Sequence, residues 1–212
     1  MTHPRQNRMT PTGIRWIAAM MTALLGLLIA QPAAAQFSDS YKFLEAVRKG
    51  ESDKILKALE GAGSTPVNTK DRSTGETALL IVIGKRDLIM TNYLLARGAR
   101  TDLADNQGRT PLMLAVERRF TDGVTLLLSK KANPNQANGS GETPLIRAVQ
   151  LRDLEMVRLL LGSGADPNRR DTLAGMSAID YAKHGAPVAG MLDALTAKQV
   201  APKSSAMQGP TL

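Results

Sequence analysis

Apolar residues recur along this chain at helical spacing, in short stretches divided by polar and glycine-containing segments. Val124, Leu127 and Leu128 stand at i, i+3 and i+4, as do Val157, Leu160 and Leu161, and Thr91, Leu94 and Leu95 repeat the set with one polar member. Each set lays a single apolar stripe along a helix, which therefore needs a neighbour to cover it. Upstream of these sets runs a second family of apolar stretches in which Ala115, Ala148 and Ala182 hold the same place, and a methyl side chain there lets helices approach closely. Thr110-Pro111 and Thr143-Pro144 place a hydroxyl N-cap before a proline at the first helical position, where the missing N–H costs nothing. Thr77 and Ser177 keep the cap without the proline. The pattern predicts pairs of short helices.

One apolar run differs. Trp16 to Ala30 reads WIAAMMTALLGLLIA, follows a polar, basic stretch and ends at Gln31-Pro32 and then Ala33-Ala34-Ala35. Basic, apolar and small-residue regions in that order describe a secretory signal peptide, and the run falls short of the ~20 residues needed to span a bilayer. Cleavage is expected after Ala35, leaving Gln36 as the first residue; an uncleaved anchor is the alternative. No Arg-Arg pair precedes the run, which favours export of the unfolded chain.

The paired stretches are copies of one unit. Gly75-Glu-Thr-Ala-Leu79, Gly108-Arg-Thr-Pro-Leu112, Gly141-Glu-Thr-Pro-Leu145 and Gly175-Met-Ser-Ala-Ile179 begin 33, 33 and 34 residues apart. Leu94-Leu95-Ala-Arg-Gly98-Ala99, Leu127-Leu128-Ser-Lys-Lys131-Ala132 and Leu160-Leu161-Gly-Ser-Gly164-Ala165 keep the same period. These residues resemble the ankyrin repeat, with its Gly-x-Thr-Pro-Leu start, alanine-containing first helix, Leu-Leu near the end of the second and Gly-Ala-Asp-x-Asn close. Ala132-Asn-Pro-Asn135 and Ala165-Asp-Pro-Asn168 match that close. The resemblance implies an all-α repeat solenoid of about five repeats, at about 41–70, 71–104, 105–137, 138–170 and 171–196, with degenerate first and last members. Residues 1–35 then form the signal, 36–40 a short linker and 197–212 a disordered tail.

Two departures from the family pattern carry structural expectations. The histidine expected after Thr-Pro-Leu is replaced by Leu80, Met113, Ile146 and Asp180, so apolar packing should stand in for its polar bonding. Lys131 occupies the place of a helix-ending glycine, so a left-handed, strained turn is expected there.

Composition narrows the chemistry. Aromatics make up 3% of the chain, so Leu, Ile, Val, Met and Ala must build the core. The absence of cysteine excludes disulfides, thiolate zinc sites and cysteine nucleophiles. Only His3 and His184 are present, and His3 precedes the expected cleavage point, so no multi-histidine metal site is expected; neither is a cofactor. His184 beside Asp180 and Tyr181 is the one place an acid–base argument could begin, and no nucleophile pattern accompanies it. Loss of Arg5, Arg8 and Arg15 with the signal leaves 24 basic against 19 acidic residues. That excess favours acidic partners without the basic density of a nucleic-acid binder.

The ankyrin resemblance implies a binding protein whose partner lies against the hairpin tips and the exposed side of the first helices. The positions concerned are Ser73, Thr74 and Glu76, then Asn106, Gln107 and Arg109, then Ser140 and Glu142, with Arg169 and Arg170 before the last repeat. The first-helix ends add Lys85, Arg118 and Gln150. Glu76, Arg109 and Glu142 share a repeat position with alternating sign, which suggests ion pairing between neighbouring hairpins. Arg86, Arg119 and Arg152 stand 33 residues apart between the two helices of three successive repeats and should stack into a basic ladder, with Arg48 and Lys49 extending it. Such an edge suits an acidic protein surface, although Asp87, Glu117 and Asp153 are placed to neutralise it. The expectation is a monomeric periplasmic scaffold; a membrane-held envelope module is the alternative if the signal stays uncleaved.

Overall fold

The computed structural model describes residues 39–60 and 67–197. Its compact units are 1–37 and 38–212, and every described element lies in the second. The signal segment, its cleavage point at Ala35 and Gln36, and the tail after Ala197 lie outside the described residues.

Ten helices are described, in five pairs: α1 Asp39–Lys49 and α2 Ser52–Glu60; α3 Ala78–Gly84 and α4 Leu88–Ala96; α5 Pro111–Glu117 and α6 Thr121–Ser129; α7 Pro144–Gln150 and α8 Leu154–Gly162; α9 Ala178–His184 and α10 Met191–Ala197. First helices pack on first helices down the stack, and α4 on α6 and α8 on α10 continue a second layer. The first repeat begins at Asp39 rather than Tyr41, because Asp39 supplies the acidic first turn that a helix N-terminus favours.

Caps fix where each first helix starts. The hydroxyls of Thr77, Thr110 and Thr143 accept from the N–H of Leu80, Met113 and Ile146, and all three threonines are buried. Ser177 and Asp180 form a reciprocal capping box. Leu80, Met113 and Ile146 are buried as apolar replacements for the missing histidines. Asp87 and Asp153 cap the second helices α4 and α8. Phe120, at the same position before α6, makes no capping bond; its ring is buried instead, against Gly123.

The second helices end in the same way. Ala99, Ala132 and Ala165 each donate back to Leu94, Leu127 and Leu160, after a left-handed residue: Gly98 at φ 84°, Lys131 at 64° and Gly164 at 97°. Lys131 therefore takes the strained conformation its position requires. Side chains clamp some of these turns to the repeat before. Asn68 donates to the Gly98 carbonyl and accepts from the Arg100 N–H; Asn135 does the same with Gly164 and Asp166. Asp102 takes the asparagine's place between the second and third repeats and pairs with Arg100.

Candidate functional site

Four hairpin turns project from the stack, and each is built on an Asx residue. Asp71 Oδ1 accepts from Ser73 and Thr74, Asp105 from Gln107 and Arg109, Asn138 from Ser140 and Glu142, and Asp171 from Ala174 and Gly175. A short polar side chain that satisfies its own turn is what makes such a loop rigid. Neighbouring turns are then joined backbone to backbone: Asn106 N–H donates to the Thr74 carbonyl, Gly139 to Gln107 and Thr172 to Ser140, each at 3.0 Å. One hydrogen-bonded ribbon results. Ser73 and Thr74 are used within it, on Asp71 and Glu76, and Asn106 also reaches the Ser73 carbonyl.

Beside the ribbon, hairpin and helix charges interlock. Arg109 bonds the buried Asp105 at 2.7 Å, Arg147 bonds the buried Glu142 at 2.9 Å, and Glu117 lies between them at 3.6 and 3.8 Å. Arg48 does the same one repeat earlier, with Asp71 at 2.7 Å and Glu76 at 3.3 Å. The expected hairpin-to-hairpin pairing of Glu76, Arg109 and Glu142 is thus replaced by hairpin-to-helix pairing. The physical reason is reach: the first helices run beside the hairpins, so Arg48 and Arg147 meet Glu76 and Glu142 first, while Arg109 is met by Asp105 of its own hairpin and then by Glu117. Gln107, Arg109, Glu117, Asn138, Ser140, Arg147 and Leu151 line a groove of about 660 Å³ between the third and fourth repeats. Of the positions read from sequence, Gln107, Arg109 and Ser140 line it, and Glu142 backs it. Arg147 and Glu117 were missed as groove residues because neither recurs at its repeat position.

The basic edge is partly consumed by the stack. Lys85 donates to the carbonyls of Val47 and Arg48 at the end of α1, and the Arg86 guanidinium stands 5.9 Å from the centre of the Phe120 ring. Arg119 pairs with Asp153 at 3.3 Å and bonds the Leu151 carbonyl. Arg48 and Lys49 do not extend the row: Arg48 turns to the hairpin, Lys49 pairs with Glu45, and Gly50 holds the ladder position in the first repeat, with φ 74°. Of the expected neutralisers, Asp153 acts as such, Asp87 is occupied as a cap and Glu117 faces the groove. Arg118, Arg152 and Arg169 are exposed. Arg170 bonds the Gly175 carbonyl and Asp180, Gln150 accepts from Arg147, and His184 Nδ1 meets the Asp180 carbonyl of its own helix rather than a carboxylate.

The carboxylates of the turns are tuned by these bonds. Asp71 is held far below the ordinary carboxylate range, first by the Ser73 hydroxyl and then by Arg48. Burial pushes Asp171 up, but bonds from the Tyr181 hydroxyl and the backbone N–H groups of its turn outweigh it and leave it lowered. A group whose folded value lies below its unfolded one stabilises the fold above the unfolded value and loses that contribution as pH falls through the folded one. Glu142 runs the other way, raised by burial against the pull of Arg147 and Asn138, and so offsets part of the loss. The melting temperature should hold steady in the neutral range and drop as pH falls below about 4. Asp71→Asn should keep the turn, as Asn138 does naturally, and flatten part of that drop; an unaltered drop would remove Asp71 as a source.

Comparison with protein families gives the same period. A model of three ankyrin repeats matches residues 43–138, and a single ankyrin-repeat model matches 140–172. The chain belongs to the ankyrin-repeat family. No curated protein matches it significantly. Ankyrin repeats are generally protein–protein interaction modules, typically without enzymatic activity. In this ankyrin array the groove lies beside the hairpin ribbon.

Proposed function

We propose that this ankyrin protein is exported to a bacterial periplasm and holds one partner protein against its hairpin ribbon, seated in the groove of Gln107, Arg109, Glu117 and Arg147. The observation that carries the reading is the ribbon itself. Three equivalent 3.0 Å backbone bonds tie four turns into one surface, so a partner meets groups already in place and the entropy of ordering them is not charged to binding. Export rests on the order of basic, apolar and small residues before Gln36. The partner is acidic where it meets the helix-turn edge. Lys85 and Arg86 meet carbonyls and a ring rather than a carboxylate, and Arg118 and Arg152 add to them, so the edge attracts an acidic surface over long range. The protein works as a monomer.

Photo-crosslinkers at Gln107 and Ser140, used in intact cells, should trap one dominant partner, while the same group at Ile89 on the second-helix side traps none. Equal trapping at both positions would sink the groove. Sequencing the N-terminus of the cellular protein should return Gln36; Met1 would move the protein to the membrane-held alternative.

A further inference from the structure

Arg86, Arg119 and Arg152 all adopt left-handed backbone, with φ of 59°, 50° and 57°. That conformation strains any residue with a side chain, and Gly50 shows that glycine serves at the same position in the first repeat. Two of the three arginines recover something from the next repeat. Arg86 lies over Phe120 and Arg119 pairs with Asp153, and both targets are the residue that precedes a second helix, α6 or α8. By sequence register the equivalent of Phe120 and Asp153 is Pro187, but α10 begins only at Met191. Proline offers neither a ring face nor a carboxylate, and among the described residues the Arg152 side chain makes no hydrogen bond or ion pair.

The fifth repeat also leaves space at this point. Gly185 closes α9 in an extended conformation, and the chain through Ala186 and Val188 turns aside. Val149, Tyr181, Ala182, Ala186, Val188 and Met191 then line an apolar cup of about 230 Å³, with Arg152 at its rim. The Tyr181 hydroxyl is already bonded to Asp171, so the cup presents mainly carbon, with the Gln150 amide and the Arg152 cation as its polar groups.

We propose that Arg152 and this cup bind a short segment of a partner protein that carries a carboxylate beside a large apolar side chain. The carboxylate takes the role Asp153 plays for Arg119, and the apolar group fills the cup much as Phe120 lies under Arg86. Each half of the occupant's chemistry is thus written once within the same stack, and the end of the array leaves both to be supplied from outside.

The test is a library of random phage-displayed peptides panned on the full chain, followed by titration of the selected peptides. Enriched sequences should pair Asp or Glu with a neighbouring Leu, Phe or similar residue. Arg152→Gly should weaken them roughly tenfold or more while leaving the melting temperature equal or higher, because it removes only an unpaired charge and relieves the backbone. Ala186→Trp, which fills the cup and keeps the arginine, should weaken them too. No enrichment, enriched peptides without acidic residues, or affinities that survive Arg152→Gly would each overturn the proposal.

Discussion

Gly108→Ala should cost about 2–4 kcal/mol of folding stability, about twice what Gly175→Ala costs, although both glycines occupy the same place in a hairpin. Gly108 has φ 77°, where a side chain is disfavoured by about 1–2 kcal/mol. Its added Cβ would also sit 2.5 Å from the backbone nitrogen of Gly139. That nitrogen cannot move without giving up its bond to the Gln107 carbonyl, a further loss of about 1 kcal/mol with the strain of a displaced turn on top. Gly175 has φ 64° but nothing within 4 Å of the added carbon, because the array ends there, so only the conformational penalty of about 1–2 kcal/mol applies. Urea unfolding of the two variants makes the comparison. Equal losses would mean that the turns do not press on one another, and the ribbon would cease to be a rigid surface.

The second large effect is expected at Phe120, where one residue has been exchanged for another kind of stabilisation. Asp87 and Asp153 cap their helices; Phe120 gives up that bond and buries a ring. Phe120→Ala should therefore cost about 3–5 kcal/mol, the usual loss for a buried aromatic side chain. Phe120→Asp should recover about 1 kcal/mol of this through the restored cap. The sharper check is Gly123, a glycine inside α6 whose Cβ would lie 2.3 Å from the ring. Glycine within a helix ordinarily costs about 1 kcal/mol against alanine, so Gly123 is there for the ring. Gly123→Ala should destabilise the parent chain yet stabilise the Phe120→Asp variant. A double-mutant cycle reads that reversal of sign, and additive effects would show that ring and glycine are not coupled.

What periodicity could reveal, it revealed. Thr110-Pro111 and Leu127-Leu128 recur because every repeat must start and close its helices in the same way, so the caps, the buried leucines and the left-handed turn at Lys131 were all readable. Groove chemistry is not periodic. Arg109 lies on a hairpin, while Glu117 and Arg147 come from different places on two first helices, and aligning equal positions never brings them together. The same habit read Glu76, Arg109 and Glu142 as one row, when Arg48 and Arg147 of the first helices take the two glutamates and Arg109 turns to Asp105 of its own hairpin. The arginine ladder was legible as a ladder. What each rung does depends on the residue opposite, and Phe120, Asp153 and Pro187 share a position without sharing any chemistry.

The exchange of asparagine for Asp102 reaches beyond its own turn. In a stack held by nearest-neighbour contacts, cooperativity is only as strong as its weakest junction. Among the first four repeats, the first–second and third–fourth junctions each carry an asparagine clamp, whereas the second–third has the Asp102 carbonyl accepting from Gln136 and, among the described residues, no clamp on the Lys131 turn, itself strained. Under a pulling force or at the edge of thermal unfolding, the array should part there first, into a block of two repeats and a block of three. The groove lies wholly within the larger block, and would outlast the fracture.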